Sequence, residues 1–149
     1  MIEQHEQDQK RPRTIYTFGY TGSTPRALVA HLEETGALLV DIRMSPYSRV
    51  PAWGGRSLRE RVGPTRYMGL PAFGNVNYKG GPIVLCRPDM GLTALRPVLA
   101  TRAVILLCAC ADYRMCHRLT AALYLQAELG GPIVHLPGKS QEPREGVRE

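Results

Sequence analysis

The sequence predicts a single α/β domain with a central, mostly parallel five-stranded sheet flanked by helices. Apolar runs of strand length alternate with segments of helical periodicity, the pattern of a parallel sheet covered on both faces. The distinctive polar and sulfur-bearing residues fall at the carboxyl ends of those runs, where ligands bind in such sheets. At 149 residues and 44% hydrophobic content, the chain is long enough for one core and too short for two ordinary domains.

Residues 1–13 (MIEQHEQDQKRPR) lack apolar periodicity, and residues 138–149 (GKSQEPREGVRE) are equally polar, so both read as disordered tails around a folded body at 14–137. The first strand is read at 14–18 and runs into Gly19 and Tyr20. Thr24 and Pro25 then supply an N-cap and a proline at the first helical position. Leu28, Val29 and Leu32 form the apolar stripe of that helix, and Gly36 ends it. Strands follow at 38–42, leading to Asp41 and Arg43, and at 65–70, ending at Leu70 and Pro71. Between 69 and 101, Gly74, Gly80, Gly81, Pro82, Pro88, Gly91 and Pro97 interrupt every period, which predicts a long, partly helical connection. GGPIV occurs there and again at Gly130 with unmatched flanks, a recurring turn into a strand rather than a repeat. The unbroken run at 104–108 is the fourth strand. A helix opens at Cys116, carries Leu119, Leu123 and Ala127, and stops at Gly130-Gly131-Pro132 before the fifth strand at 133–136.

The net charge is +6, carried by sixteen Arg and three Lys. Arginine presents a planar fork that matches phosphate or carboxylate, although a coding preference produces the same count. Arg43, Arg49, Arg56, Arg59, Arg61 and Arg66 share a stretch with one acid, Glu60, either a basic rim or a solvated face. No window is apolar enough to span a membrane, and the polar N-terminus does not read as a signal peptide. A cytoplasmic protein without a membrane partner is expected. Cys86, Cys108, Cys110 and Cys116 then read as reduced thiols.

The segment 106–118, LLCACADYRMCHR, concentrates thiols, an imidazole and guanidiniums where a strand hands over to a helix. Unpaired N–H groups at a helix opening favour anions and lower a thiol's pKa. This predicts a site for an anionic small molecule of phosphate or nucleotide type. Cys116 or Cys108 would be the nucleophile beside His117, with Asp41 orienting His117 or pairing with an arginine. Arg43 and Arg118 would bind the anion, with Gly19, Tyr20 and Gly22 close to it. The plainer alternative is that the two cysteines are packing residues, His117 a cap, and Arg118 a partner of Asp41.

These motifs resemble the domain-of-unknown-function 488 family of small prokaryotic proteins. The resemblance covers most of the body through FGYTGSTP (18–25), VDIR followed by Ser45, Pro46 and Arg49, YMGLPAFGN (67–75) and LLCACADYRMCHR. It implies an α/β fold and no particular reaction. Where the family commonly carries an acidic residue two positions after the first cysteine, this chain has Cys110.

Three further readings follow from the residues. Cys108 and Arg114 match a Cys-x5-Arg phosphate loop, but the intervening ACADY lacks the glycines such loops favour, and this reading is not adopted. Cys108, Cys110, Cys116 and His117 suit zinc chemically. However, Cys108 and Cys110 point to opposite faces if the strand continues, and adjacent Cys116 and His117 diverge by about 100° on a helix. No cofactor is therefore expected, with zinc the minor alternative. Finally, the arginine-rich stretch 43–66, with Tyr47, Trp53 and Tyr67 as stacking groups, reads as a nucleic-acid-binding module. His31 is expected at a surface or interface, His135 as a core histidine, and Cys86 as a packing residue.

Overall fold

The computed structural model describes residues 13–138, so the predicted tails lie outside the described residues apart from Arg13 and Gly138. Five strands, β1 (Ile15–Gly19), β2 (Leu38–Asp41), β3 (Tyr67–Gly69), β4 (Val104–Cys108) and β5 (Ile133–His135), form one sheet in the order β3-β2-β4-β1-β5. Every pairing is parallel, so the sheet is parallel throughout rather than mostly so. Among the described residues four helices flank it: α1 (Pro25–Thr35), α2 (Gly55–Val62), α3 (Pro88–Leu99) and α4 (His117–Leu129).

Strand alternation sorts the core into two layers. Leu38, Val40, Val104, Leu106 and Cys108 face α3 and α4, where Leu95, Leu99, Ala121, Ala122 and Leu125 pack on them. Leu39, Ile105 and Leu107 face the other way, onto Leu28 and Leu32 of α1 and Leu58 and Val62 of α2. β4 is central and all five of its residues are buried, which is why its sequence is an unbroken apolar run. Each large side chain buried there contributes about 1.5–3 kcal/mol.

The caps of α1 follow the sequence: Thr24 accepts from the Ala27 N–H, and Gly36 closes the helix with its N–H on the Leu32 carbonyl. Helix α2 was not foreseen. It lies inside the arginine-rich stretch and buries only Leu58 and Val62 after Gly55. Helix α3 fills the connection that its glycines and prolines obscured. No helix among the described residues is long and apolar enough to cross a membrane.

The topology fixes the site. The connection after β2 moves outward to β3, and the connection after β4 moves the opposite way to β5. Between these neighbouring strands the two loops diverge, leaving a crevice at their carboxyl ends.

Candidate functional site

A cavity of about 800 Å³ fills that crevice. Arg43, Met44, Ser45 and Tyr47 line it from the β2 side, and Ala109, Cys110, Met115, Cys116 and His117 from the β4 side. Tyr20, Asn75, Tyr78 and Ile83 complete the wall. A volume of this size accommodates a nucleotide-sized molecule. A second hollow of about 560 Å³ adjoins it, sharing Tyr20, Tyr47 and Ala109 and reaching Gly22.

Three sulfurs meet at the cavity edge. The Sγ atoms of Cys108, Cys110 and Cys116 all lie within 4.8 Å of one another, and none of the four cysteines is in a disulfide. This corrects the expectation that Cys108 and Cys110 diverge. β4 ends at Cys108, and the chain bends at Ala109 instead of continuing as strand, which returns Cys110 to the same side. Cys116 is the N-cap of α4, its sulfur accepting the Arg118 N–H at 3.4 Å. Cys108 and Cys116 are buried, whereas Cys110 is exposed. Accepting hydrogen bonds from Cys108 and Cys116 pulls the Cys110 thiol down to about 2. Cys108 rises because its one S–H is held among the Cys110 and Cys116 sulfurs and because it is buried. Cys116 gains from accepting from Cys108, but donation to Cys110 and burial outweigh this and push it up to about 11.

His117 is oriented by the end of β2. Its Nε2 lies 3.1 Å from the Ile42 carbonyl, which only an N–H can satisfy, so Nδ1 carries the lone pair and lies 3.7 Å from the Cys116 sulfur. Burial holds this imidazole below its ordinary range.

The two arginines expected to converge on an anion do different work. Arg43 is gripped by Asp41, with Nε at 2.7 Å and Nη2 at 2.5 Å from its two carboxylate oxygens. Nη1 of Arg43 donates to the Trp53 carbonyl at 2.8 Å and the Tyr20 hydroxyl at 3.3 Å. Burial opposes the Arg43 charge, but Asp41 and Tyr20 outweigh it and raise the pKa further. Tyr67 donates to Asp41 at 2.6 Å, and burial together with that bond raises its own pKa. Asp41 thus pairs with Arg43, not with His117 or Arg118.

Arg118 is only 2% exposed and braces the loop after β4. Its Nε donates to Thr17 Oγ1 at 3.2 Å, Nη1 to the Cys110 carbonyl and to the Cys108 sulfur at 3.5 Å, and Nη2 to the Ala111 carbonyl at 3.2 Å. Among the described residues no ion pair involves it. Its charge therefore sits buried beside the sulfurs without a carboxylate from the described residues.

The glycines have structural reasons of their own. Gly19 is packed beneath the Cys110 carbonyl and the Arg118 guanidinium, and Gly22 takes φ +82° in a turn with open space around it. Tyr20 does face the cavity, stacked on Trp53 at 4.7 Å between centroids. His31 is buried, with Nε2 3.0 Å from the Pro137 carbonyl, rather than at a surface. His135 is half-buried, stacked on Tyr113, and Cys86 is half-buried away from the sulfur cluster. Of the proposed stacking groups, Trp53 and Tyr67 are buried and Tyr47 is 71% exposed.

Cys110 is the site residue that sequence reasoning set aside. Asp112, a turn-favouring residue two positions after it, was the available signal that the strand had already ended. No protein-family model matches the chain, and no curated protein does.

Proposed function

We propose that the protein is an enzyme that uses sulfur chemistry on a nucleotide-sized small molecule bearing an anionic group, held in the cavity over β2 and β4. One observation carries this reading: Cys110, an exposed cysteine, lines that cavity beside a buried guanidinium, Arg118, that has no carboxylate partner among the described residues. An unbalanced cation behind the sulfur favours both a thiolate and an anionic substrate group. Cys110 is the nucleophile rather than Cys108 or Cys116, which are buried. The reaction is a displacement: the Cys110 thiolate bonds to the electrophilic atom through a sulfur lone pair as the leaving group departs with its own bonding pair, and no proton has to be removed from the sulfur in that step. Arg43 supplies at most one free N–H to the substrate, since its other donors are used by Asp41, Tyr20 and Trp53.

Membership of the domain-of-unknown-function 488 family belongs to the same proposal. It rests on the motifs at 18–25, 40–43 and 106–118, each of which contributes a cavity residue. No observation favours the nucleic-acid reading in the same way. Exposed Arg49, Arg56, Arg59 and Arg61 lie outside the cavity over β2 and β4, and two of the three stacking aromatics are buried.

Alkylation tests the proposal. In chelator-treated protein, Cys110 should react first with both iodoacetamide and iodoacetate, located by peptide mass spectrometry, and the anionic reagent should gain relative to its ratio on free cysteine. Reaction at Cys86 ahead of Cys110, or an anionic reagent disfavoured more than on free cysteine, overturns it.

A further inference from the structure

We propose that Cys108, Cys110 and Cys116 together bind one thiophilic d10 ion of the zinc class, with the fourth coordination position open to the cavity. The inference rests on reading the sulfur cluster as the reactive centre and names the cofactor it takes; the Cys110 sulfur that makes the displacement is then a metal-bound thiolate.

The distances fit. Tetrahedral zinc with Zn–S bonds of about 2.3 Å sets its sulfurs about 3.8 Å apart. The three sulfurs already lie within 4.8 Å of one another, so closure about an ion needs movement of no more than about 1 Å. Cys110, on an exposed bend, is free to supply it. The charge fits as well. Three thiolates around a divalent ion leave one negative charge, and Arg118 lies beside it with one positive charge and, among the described residues, no carboxylate partner.

The outer contacts are those a thiolate centre needs. Arg118 directs Nη1 at the Cys108 sulfur at 3.5 Å and its backbone N–H at the Cys116 sulfur at 3.4 Å. Such N–H groups hold ligand sulfurs in place and temper their charge. The fourth position follows from the lining: Cys110 and Cys116 reach the cavity and Cys108 does not. An ion among them faces the cavity with one side. His117 approaches only Cys116 and is outside the mutual set of three, so it flanks the open position instead of closing it. Three protein ligands with one place left for water or substrate is the arrangement of a catalytic centre, whereas a structural site is closed by four.

The experiment is metal uptake by the full chain. After dialysis against zinc and removal of excess, the protein should hold one equivalent. Cobalt(II) in its place should give tetrahedral d–d bands and a thiolate charge-transfer band. Cys110→Ser should weaken binding at least about 100-fold, beyond what an outer-shell change brings. Because Cys110 is exposed, that variant should keep the melting profile of the metal-free wild type. Cys86→Ser and His117→Ala should retain the full equivalent. Failure of the wild type to take up either ion, or full binding by Cys110→Ser, overturns the inference, as does loss of the ion in His117→Ala. Alkylation of Cys110 in chelator-treated protein separates the two readings. A reactive Cys110 that never binds metal sinks only the metal centre, while an inert one in metal-free protein sinks the sulfur chemistry itself.

Discussion

Gly19 and Arg118 are packed so closely that no β-carbon fits between them: one built on Gly19 falls far inside contact with Arg118 Nη1 and the Cys110 carbonyl oxygen. The parallel register sets Gly19 opposite Cys108, so the last residue of β1 lies directly beneath the bend that returns Cys110 to the sulfur cluster. The close approach that a glycine permits is here made by the chain's own guanidinium.

Gly19→Ala therefore has to displace a backbone carbonyl and a buried cation, neither of which yields cheaply. We expect a loss of about 3 kcal/mol, the upper part of the range for overpacking, read from urea denaturation. Alkylation at Cys110 should change with it, because the carbonyl that moves belongs to that residue. Gly22→Ala provides the contrast. Its β-carbon meets open space, so only the positive φ is penalised, by about 1–2 kcal/mol, and Cys110 reactivity should stay as it is.

Asp41 and Arg43 form a pair buried to 1% and 7% exposure, with Tyr67 completing the carboxylate's partners. Asp41→Asn keeps the shape but leaves a buried guanidinium uncompensated, which should cost about 3–5 kcal/mol in chemical denaturation. Asp41→Asn combined with Arg43→Met should recover part of that loss, since the unpaired charge is then gone. Alkylation of Cys110 should be unaffected in every folded variant, because Asp41 touches Arg43 and Tyr67 and none of the sulfurs. A matching fall in Cys110 reactivity with Asp41→Asn would show the two clusters to be one unit.

The strand runs were legible because a parallel sheet covered on both faces demands continuous apolar sequence, and 104–108 supplies it without interruption. Thr24, Pro25 and Gly36 announced α1 through capping chemistry that is local by nature. Helix α3 was hidden because its Gly91 answers a tertiary demand: a β-carbon there would enter the Phe73 ring, a residue from another element. Helix α2 buries just two side chains, so its stripe is too narrow to stand out among arginines. The carboxyl-end crevice was readable from strand ends alone, but the partners of Arg43 and Arg118 were not. Ion pairing and loop bracing depend on which sheet face each side chain takes. The same limit concealed Cys110, whose place depends on a single bend at Ala109.

Thr17 links the buried Arg118 to His135 on the neighbouring strand, and this makes stability depend on pH. Its hydroxyl accepts the Arg118 Nε–H at 3.2 Å and lies 2.6 Å from His135 Nδ1. A protonated His135, half-buried, would lose part of its hydration and add a cation close to Arg118. Burial and the Arg118 charge accordingly hold the imidazole below its ordinary value of 6.5. The unfolded chain takes up a proton near pH 6.5 that the folded chain resists, so stability is full above that pH and declines as the pH falls through it. Thermal melting between about pH 7.5 and 5 should show the midpoint falling with acidification. His135→Phe keeps a ring to stack on Tyr113 but cannot titrate, so its melting midpoint should fall less over the same interval. Part of the slope should remain, because His117 is held neutral by its own burial. An unchanged slope in His135→Phe would remove His135 from the account and leave His117 to explain the whole acid sensitivity.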